Sequence, residues 1–174
     1  MYIETDRLII KKFEECDADE VFTIYNDEHT CQYLLHERWT NENKHAHFQK
    51  KLANHTLTQN NSISLAVLYR SQVIGDLSVW YTGMKDTVEV GYTFLRTIGG
   101  QGFATESVKA LMSYLFQEYG VHRVQATLDA RNEASIKLCE RVGMRKEAHF
   151  IQNFWNKAEW TDSIVFGMLA SDLP

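Results

Sequence analysis

The sequence predicts a mixed α+β domain. It has a central, mostly antiparallel sheet of about seven strands, flanked by about four helices, with one parallel strand–helix–strand crossover. Three observations carry this. Ile63–Tyr69, Val73–Tyr81 and Thr87–Leu95 are rich in β-branched and aromatic residues, and only short polar turns separate them, so they form an antiparallel meander. From Phe103 the apolar period becomes helical, with Val108, Leu111, Met112, Leu115, Phe116 and Tyr119 at i, i+3, i+4, i+7, i+8 and i+11. Val121–Asp129 then returns to a strand pattern, so Val88–Asp129 is a βαβ unit whose two strands run parallel.

Taken in order, Leu8–Phe13 reads as a first strand. Asp17 is placed to cap a helix from Ala18 to about Asn26, carrying Val21, Phe22, Ile24 and Tyr25. His29–Trp39 is irregular. Thr40 is a second capping candidate, opening a helix to about Asn54 with Phe48 and Leu52 one turn apart, and Asn60-Asn61 marks a break. After the meander, Gly120 ends the long helix as a left-handed cap. Asn132 caps a short helix, Glu133–Val142, which Gly143 ends. Met144–Leu169 reads as two strands with a break near Asn156-Lys157. The chain's one proline is its last residue, so few hard breaks interrupt these elements.

At 174 residues, 44% hydrophobic and 24% charged, the chain has the size and composition of one globular domain spanning residues 1–174. Its net charge of −5, with no Lys/Arg cluster, argues against a nucleic-acid partner and is compatible with a cationic one. Cys16, Cys31 and Cys139 are widely spaced with no C-x-x-C pair, which fits three reduced thiols in a cytoplasmic protein. No apolar run approaches the roughly 20 residues that a bilayer span needs, so no membrane association is expected. His45 and His47 stand two apart and point away from each other on a helix, so no metal site is expected there.

The chemistry concentrates in Thr97–Ser107, T-I-G-G-Q-G-F-A-T-E-S. Gly99, Gly100 and Gly102 let a ligand approach the backbone and leave N–H groups unshielded. The helix that follows adds its own unpaired N–H groups and a partial positive charge. A strand, a glycine turn and a helix N-terminus in succession make an anion seat, suited to a phosphate.

With these residues the chain resembles the GNAT-superfamily N-acetyltransferases. Gly100-Gln101-Gly102 matches the G-x-G of that family's phosphate-cradling motif, and Phe103-Ala104-Thr105-Glu106 follows it as is usual there. Asn132, Ser135, Leu138, Gly143 and Met144 match a second motif, N-x-x-S-x-x-L-x-x-x-x-G-M. The opening Thr5–Ile10 resembles the branch that acetylates the N-termini of ribosomal proteins. Two positions depart from the pattern: Thr97 stands where Gln or Arg is usual, with Arg96 displaced by one. Cys139 stands where many members carry a tyrosine acting as acid to the leaving thiolate.

The resemblance implies acetyl-CoA as cosubstrate, with no metal. Its pyrophosphate would sit on backbone N–H groups of about Ile98–Ala104, within a binding segment of Phe94, Leu95, Arg96, Thr97, Gly99, Gly100, Gln101, Gly102, Phe103, Ala104 and Thr105. The pantetheine arm would lie where the strands ending near Leu95 and Asp129 splay apart, and Asn132 and Ser135 would contact the arm or a nearby water. Glu89, in V-E-V-G-Y, is the candidate base, acting directly or through a water; its alternative reading is a solvated strand glutamate. A backbone N–H within Tyr92–Leu95 is the expected oxyanion donor. Gly91 marks either a bulge that opens the strand or a packing site.

The acceptor is a primary amine, either a protein N-terminus or a small-molecule amine such as a polyamine, aminoglycoside or amino acid. An α-amine, with a reference pKa of about 7.7–8.0 against about 10.4 for lysine, needs only modest help from a base. His29–Trp39 and Phe150–Trp160 are the segments expected to set selectivity. Trp80, Tyr81, Phe154 and Trp155 are assigned to core burial ahead of an acceptor wall, and His149 to packing. Glu14, Glu15 and Asp17 either attract a cationic acceptor or serve as caps and solvated acids. A monomer or homodimer follows from the family tendency. Two other classes remain: a non-catalytic CoA or acetyl-CoA sensor of the same fold, and a dinucleotide-binding domain. Against the second, Thr105 breaks the last position of G-x-G-x-x-G/A, and the motif follows an antiparallel meander.

Overall fold

The structure is a computed structural model that describes residues 1–173. Nine strands form one sheet: β1 (Tyr2–Glu4), β2 (Leu8–Lys12), β3 (His55–Thr58), β4 (Asn61–Tyr69), β5 (Gln72–Tyr81), β6 (Thr87–Phe94), β7 (Arg123–Asp129), β8 (Arg145–Asn156) and β9 (Glu159–Leu169). The spatial order is β1-β2-β4-β5-β6-β7-β9-β8, with β3 beside one end of β4. Five α-helices accompany them: α1 (Ala18–Tyr25), α2 (Glu28–Cys31), α3 (Lys44–Ala53), α4 (Phe103–Glu118) and α5 (Glu133–Arg141). Every described strand pairing is antiparallel except β6 with β7.

The sheet separates two apolar layers, and β4 shows the period-2 alternation that creates them. Ile63, Leu65 and Val67 join Val108, Leu111, Met112 and Leu115 of α4 in the larger cluster. Ala66, between them, joins Val21 and Ile24 of α1 and Phe48 of α3 in the smaller one. The smaller layer also holds a buried acid. Asp76 of β5 accepts the Tyr25 hydroxyl at 2.6 Å and pairs with Lys51, tying α1 and α3 to the middle of the sheet.

Two elements exceed the sequence expectation. β1 and β3 are three and four residues long, mostly exposed, and carry too little apolar pattern to stand out from loop. One cap also moves. The α3 helix begins at Lys44 after Asn43, whose side chain accepts the Thr40 N–H at 2.8 Å, so Thr40 precedes a turn and does not itself open the helix. The segment read as irregular contains the short α2, capped by Asp27, which accepts from His29 and Thr30 N–H. Gly120 and Gly143 take the positive φ expected of helix ends, at 62° and 92°.

The parallel pair positions the site. β6 and β7 stay in register over three pairs, ending at Glu89 opposite Gln125. Beyond that point β6 runs on to Phe94 against β5, and β7 to Asp129 against β9, so the facing edges part and leave a gap.

Candidate active site

β6 leads the chain to the glycine stretch. After β6 a short 3₁₀ turn, Arg96–Ile98, returns the chain so that α4 starts at Phe103. Gly100 and Gly102 sit at φ 77° and 80°, a region that L side chains enter at a cost of about 1–2 kcal/mol. A Cβ at Gly100 would meet nothing within 4 Å, so this backbone faces open space. The first hydrogen bond of the helix runs from Glu106 N–H to Gly102 O at 3.0 Å. From Gly100 to Thr105, no backbone N–H has a protein acceptor among the described residues. Six consecutive donors at a helix N-terminus fit a pyrophosphate in charge and in hydrogen-bonding character.

The N-terminal segment clamps this loop. Arg7 donates from Nε to Glu106 Oε2 at 2.7 Å and from Nη1 to the Gln101 carbonyl at 3.0 Å, and its guanidinium lies 4.4 Å above the Phe103 ring. The Thr5 hydroxyl donates to Glu106 Oε1 at 2.5 Å. Glu106 would otherwise set a negative charge beside the anion seat, and Arg7 neutralises it. Burial pushes the Glu106 carboxyl up, but the hydrogen bonds from Thr5 and Arg7 and the Arg7 charge outweigh it and leave it below its ordinary range. The sequence signal was present in Thr5-Asp6-Arg7 and in the acid of F-A-T-E; their pairing across 99 positions was not readable. Arg141 of α5 is a second missed residue. It donates from Nε to Thr105 Oγ1 at 3.2 Å, which sets a cation beside the same helix start.

The remaining expected residues of this segment take several roles. Phe94 lays its ring against Gly75, where a Cβ would collide with it. Leu95 packs on the smaller core and donates its N–H to Ile74 O at 2.9 Å. Arg96 approaches Asp27 at 3.8 Å. Thr97 lies within the 3₁₀ turn, and Gly99 donates back to Arg96 O at 3.1 Å. In an antiparallel ladder successive N–H groups point to opposite sides. The Leu95 N–H points at β5, so those of Thr93 and Gly91 do too, whereas those of Tyr92 and Phe94 face the gap.

A cavity of about 310 Å³ opens along the gap. Glu89 lines it, half-buried, at the point where the strands part. Its Oε2 accepts from Gln125 Nε2 at 2.8 Å, and Oε1 has no protein donor among the described residues. Gly91 pairs with Ser78 without a register shift, so there is no bulge at this position. The Trp80 ring lies 3.5 Å from where a Gly91 Cβ would be, an ordinary contact distance, so Gly91 sits against Trp80 without being demanded by it.

Asn132 and Ser135 also line the cavity, and the Asn132 side chain accepts the Ser135 N–H at 3.1 Å as the cap of α5. The Tyr92 hydroxyl donates to Ser135 O at 3.3 Å and touches Cys139 Sγ at 3.2 Å. Cys139 is fully buried. Burial pushes both the Tyr92 hydroxyl and the Cys139 thiol above their ordinary values, so both are protonated at neutral pH.

The far end of the cavity is assembled from distant elements. Tyr33, Leu34 and Leu35, after α2, meet Trp80 of β5 and Phe154 of β8 there. The turn between β8 and β9 is latched onto this loop. Asn156 Nδ2 donates to Leu34 O at 3.3 Å and Lys157 Nζ to Cys31 O at 2.6 Å. Trp80, Phe154 and Trp155 are 37%, 42% and 57% exposed, so they are not core residues as the sequence suggested. Trp155 stacks edge-on against Trp160 at 5.4 Å, on the opposite face of the hairpin from Phe154. Asp129, at the end of β7, is held by Arg131 Nε at 3.0 Å and Nη2 at 2.8 Å, and Arg131 also reaches Glu159.

His149, Glu14, Glu15 and Asp17 do not line the cavity. His149 pairs with Asp162 at 2.9 Å. Glu14 pairs with Lys11, and Asp17 accepts the Glu14 N–H at 2.8 Å, so these two acids are engaged in local structure. Glu15 lies in the 3₁₀ turn between them.

Residues 7–145 match the family model described as "Acetyltransferase (GNAT) domain". Over 174 residues the chain is 27% identical to YnaD of Bacillus subtilis (strain 168), an uncharacterised N-acetyltransferase, covering 99% of each. It superposes on a GNAT-family acetyltransferase from Bacillus anthracis with a TM-score of 0.89 at 25% identity, covering 98% of this chain and 99% of that one. A ribosomal L7/L12 α-N-protein acetyltransferase, RimL, solved with coenzyme A, shares the fold with a TM-score of 0.84 at 17% identity, covering 97% and 98%. The chain belongs to the GNAT family and is an N-acetyltransferase.

Proposed function

We propose that this enzyme transfers the acetyl group of acetyl-CoA to a primary amine by direct attack in a ternary complex. One observation carries the reading: the row of unpartnered N–H groups from Gly100 to Thr105 follows directly on β6, whose edge parts from its parallel neighbour β7 at a carboxylate, Glu89.

The residues divide the work along that path. The backbone of Gly100, Gln101, Gly102, Phe103, Ala104 and Thr105 holds the pyrophosphate, and Arg141 adds a cation beside it. The parted edges of β6 and β7 offer backbone groups to the amides of the pantetheine arm, as strand edges do to an added strand. Asn132 and Ser135 border the arm from the start of α5. When bound, acetyl-CoA supplies an activated thioester. The N–H groups of Tyr92 and Phe94 face the gap and can donate to its carbonyl oxygen; one such donor is worth about 10²–10³ in rate. Glu89 takes the amine proton, directly or through a water, and Gln125 holds the carboxylate in place. Cys139 is packed beneath Tyr92 and does not line the cavity, so it is not the acid for the leaving sulfur; the C–S bond breaks with the electron pair going to sulfur, which departs as the CoA thiolate and takes its proton from water.

Release of the CoA thiol from acetyl-CoA, followed across amine classes alongside calorimetric binding of acetyl-CoA, tests this reading. Saturable release with any primary amine supports it and removes a pure sensor role. Absence of acetyl-CoA binding overturns it.

A further inference from the structure

The acceptor end of the cavity carries a charge and polarity pattern that selects among amines. Two carboxylates line the whole cavity, Glu89 and Asp129. Asp129 is not available to a ligand cation. Both of its oxygens accept from the Arg131 guanidinium, Oδ1 also accepts the Arg131 N–H at 2.9 Å, and its side chain is 7% exposed. The Arg131 guanidinium stands 5.6 Å above the Tyr33 ring and bridges Asp129 and Glu159, so its charge and that of Asp129 are matched within this cluster. Glu89 is then the single carboxylate able to meet an ammonium. Around it the wall is apolar or aromatic: Tyr33, Leu34, Leu35, Trp80 and Phe154. Of the polar side chains in the lining, Asn156 donates to Leu34 O and Thr161 donates to Phe154 O at 3.0 Å, while Thr127, Ser135 and Ser163 bring neutral hydroxyls and no charge.

We propose that the acceptor is a monoamine whose amine-bearing carbon carries an apolar, preferably aromatic, group. The inference rests on the acetyltransferase reading above. One ammonium matches one carboxylate. A second or third ammonium, as in a polyamine or aminoglycoside, would lose hydration against an apolar and aromatic wall with no free carboxylate in the lining to meet it. An aromatic or aliphatic group beside the amine would bury apolar surface against Trp80, Phe154 and Leu35. Two sources share this chemistry: a small arylalkylamine, and a polypeptide whose first residue is apolar.

The test compares kcat/KM for phenethylamine, for peptides beginning with Phe and with Ser, for spermidine and for an aminoglycoside, with acetyl-CoA binding measured on the same preparation. Phenethylamine or the Phe peptide should exceed spermidine by at least about 100-fold, and the Phe peptide should exceed the Ser peptide by about tenfold. Whichever apolar amine is faster identifies the source. Leu35→Asp adds an acid at a position 73% exposed, where folding is not at risk, and should narrow the preference over spermidine by about tenfold. Spermidine or the aminoglycoside matching the aromatic monoamine, or Ser and Phe peptides reacting alike, would overturn the proposal. No turnover with any of these amines while acetyl-CoA still binds would overturn it and leave the cosubstrate site standing. No binding would remove the acetyltransferase reading beneath it.

Discussion

At the start of α4 the unpartnered polar groups are backbone: six N–H donors from Gly100 to Thr105, supplied by one contiguous stretch and held by Arg7 and Glu106. In the cavity between β6 and β7 the lining is made by side chains from four separate places: Tyr33–Leu35 after α2, Trp80 on β5, Glu89 on β6 and Phe154 on β8. The first end depends on φ angles and on a helix dipole, so most side-chain changes around it leave it intact. The second depends on which side chains the fold brings together, so it can be altered without touching the first. A family that keeps one cosubstrate and changes its acceptor is suited to such a division.

The sharpest way to break the comparison is Gly102→Glu. It combines a left-handed φ of 80° with a new carboxylate at the anion seat, and its Cβ would sit 3.4 Å from Arg7 Nη2. Acetyl-CoA affinity should fall by more than about 100-fold in calorimetry. Glu89→Gln should do the reverse. Turnover should drop by about 10²–10⁴, mainly below pH 8, with acetyl-CoA affinity unchanged. A wild-type pH–rate profile in that variant would return Glu89 to a solvated strand residue.

The same contrast explains what was legible in the sequence. Gly100, Gly102, the α4 periodicity and the Asn132 cap are local, each decided within a few residues, and all could be read directly. The break at Asn156-Lys157 was equally local: Lys157 and Ala158, at φ 48° and 62°, form the two-residue turn between β8 and β9. The clamp by Arg7, the cation of Arg141 and the exposure of Trp80 and Phe154 are not local. They depend on which segments meet, and an aromatic residue in a strand reads the same whether it faces a core or a cavity. β1 and β3 escaped because an edge strand of three or four residues needs only one buried side chain, Leu57 in the case of β3.

Arg7→Ala gives the third test, with an intermediate effect. Removing the clamp leaves Glu106 unneutralised at the helix start, so acetyl-CoA binding should weaken by about tenfold and Tm should fall by a few degrees. The Glu106 pKa is depressed in the folded state, so the stability from this pair is present above the unfolded carboxyl value and is lost as pH falls through the folded one. The Tm difference between wild type and Arg7→Ala should therefore be full at pH 7 and shrink below about pH 4. A constant difference across that range would show that the pair adds no pH-linked stability. The smallest effect belongs to the latch at the acceptor end. Asn156→Ala combined with Lys157→Ala should raise the acceptor KM several-fold, by about 1 kcal/mol of lost positioning, and leave acetyl-CoA binding as it was. A change in acetyl-CoA affinity there would couple two ends that the geometry keeps apart.

The proposed division into a backbone-built cosubstrate end and a side-chain-built acceptor end is tested most directly by an amide NMR titration with CoA. The largest shifts should fall on the N–H groups of Gly100–Thr105 and, along the gap, on Tyr92 and Phe94, with Tyr33–Leu35 and Phe154 moving little. Large shifts confined to the Tyr33–Leu35 and Phe154 end, with the glycine amides unmoved, would contradict it.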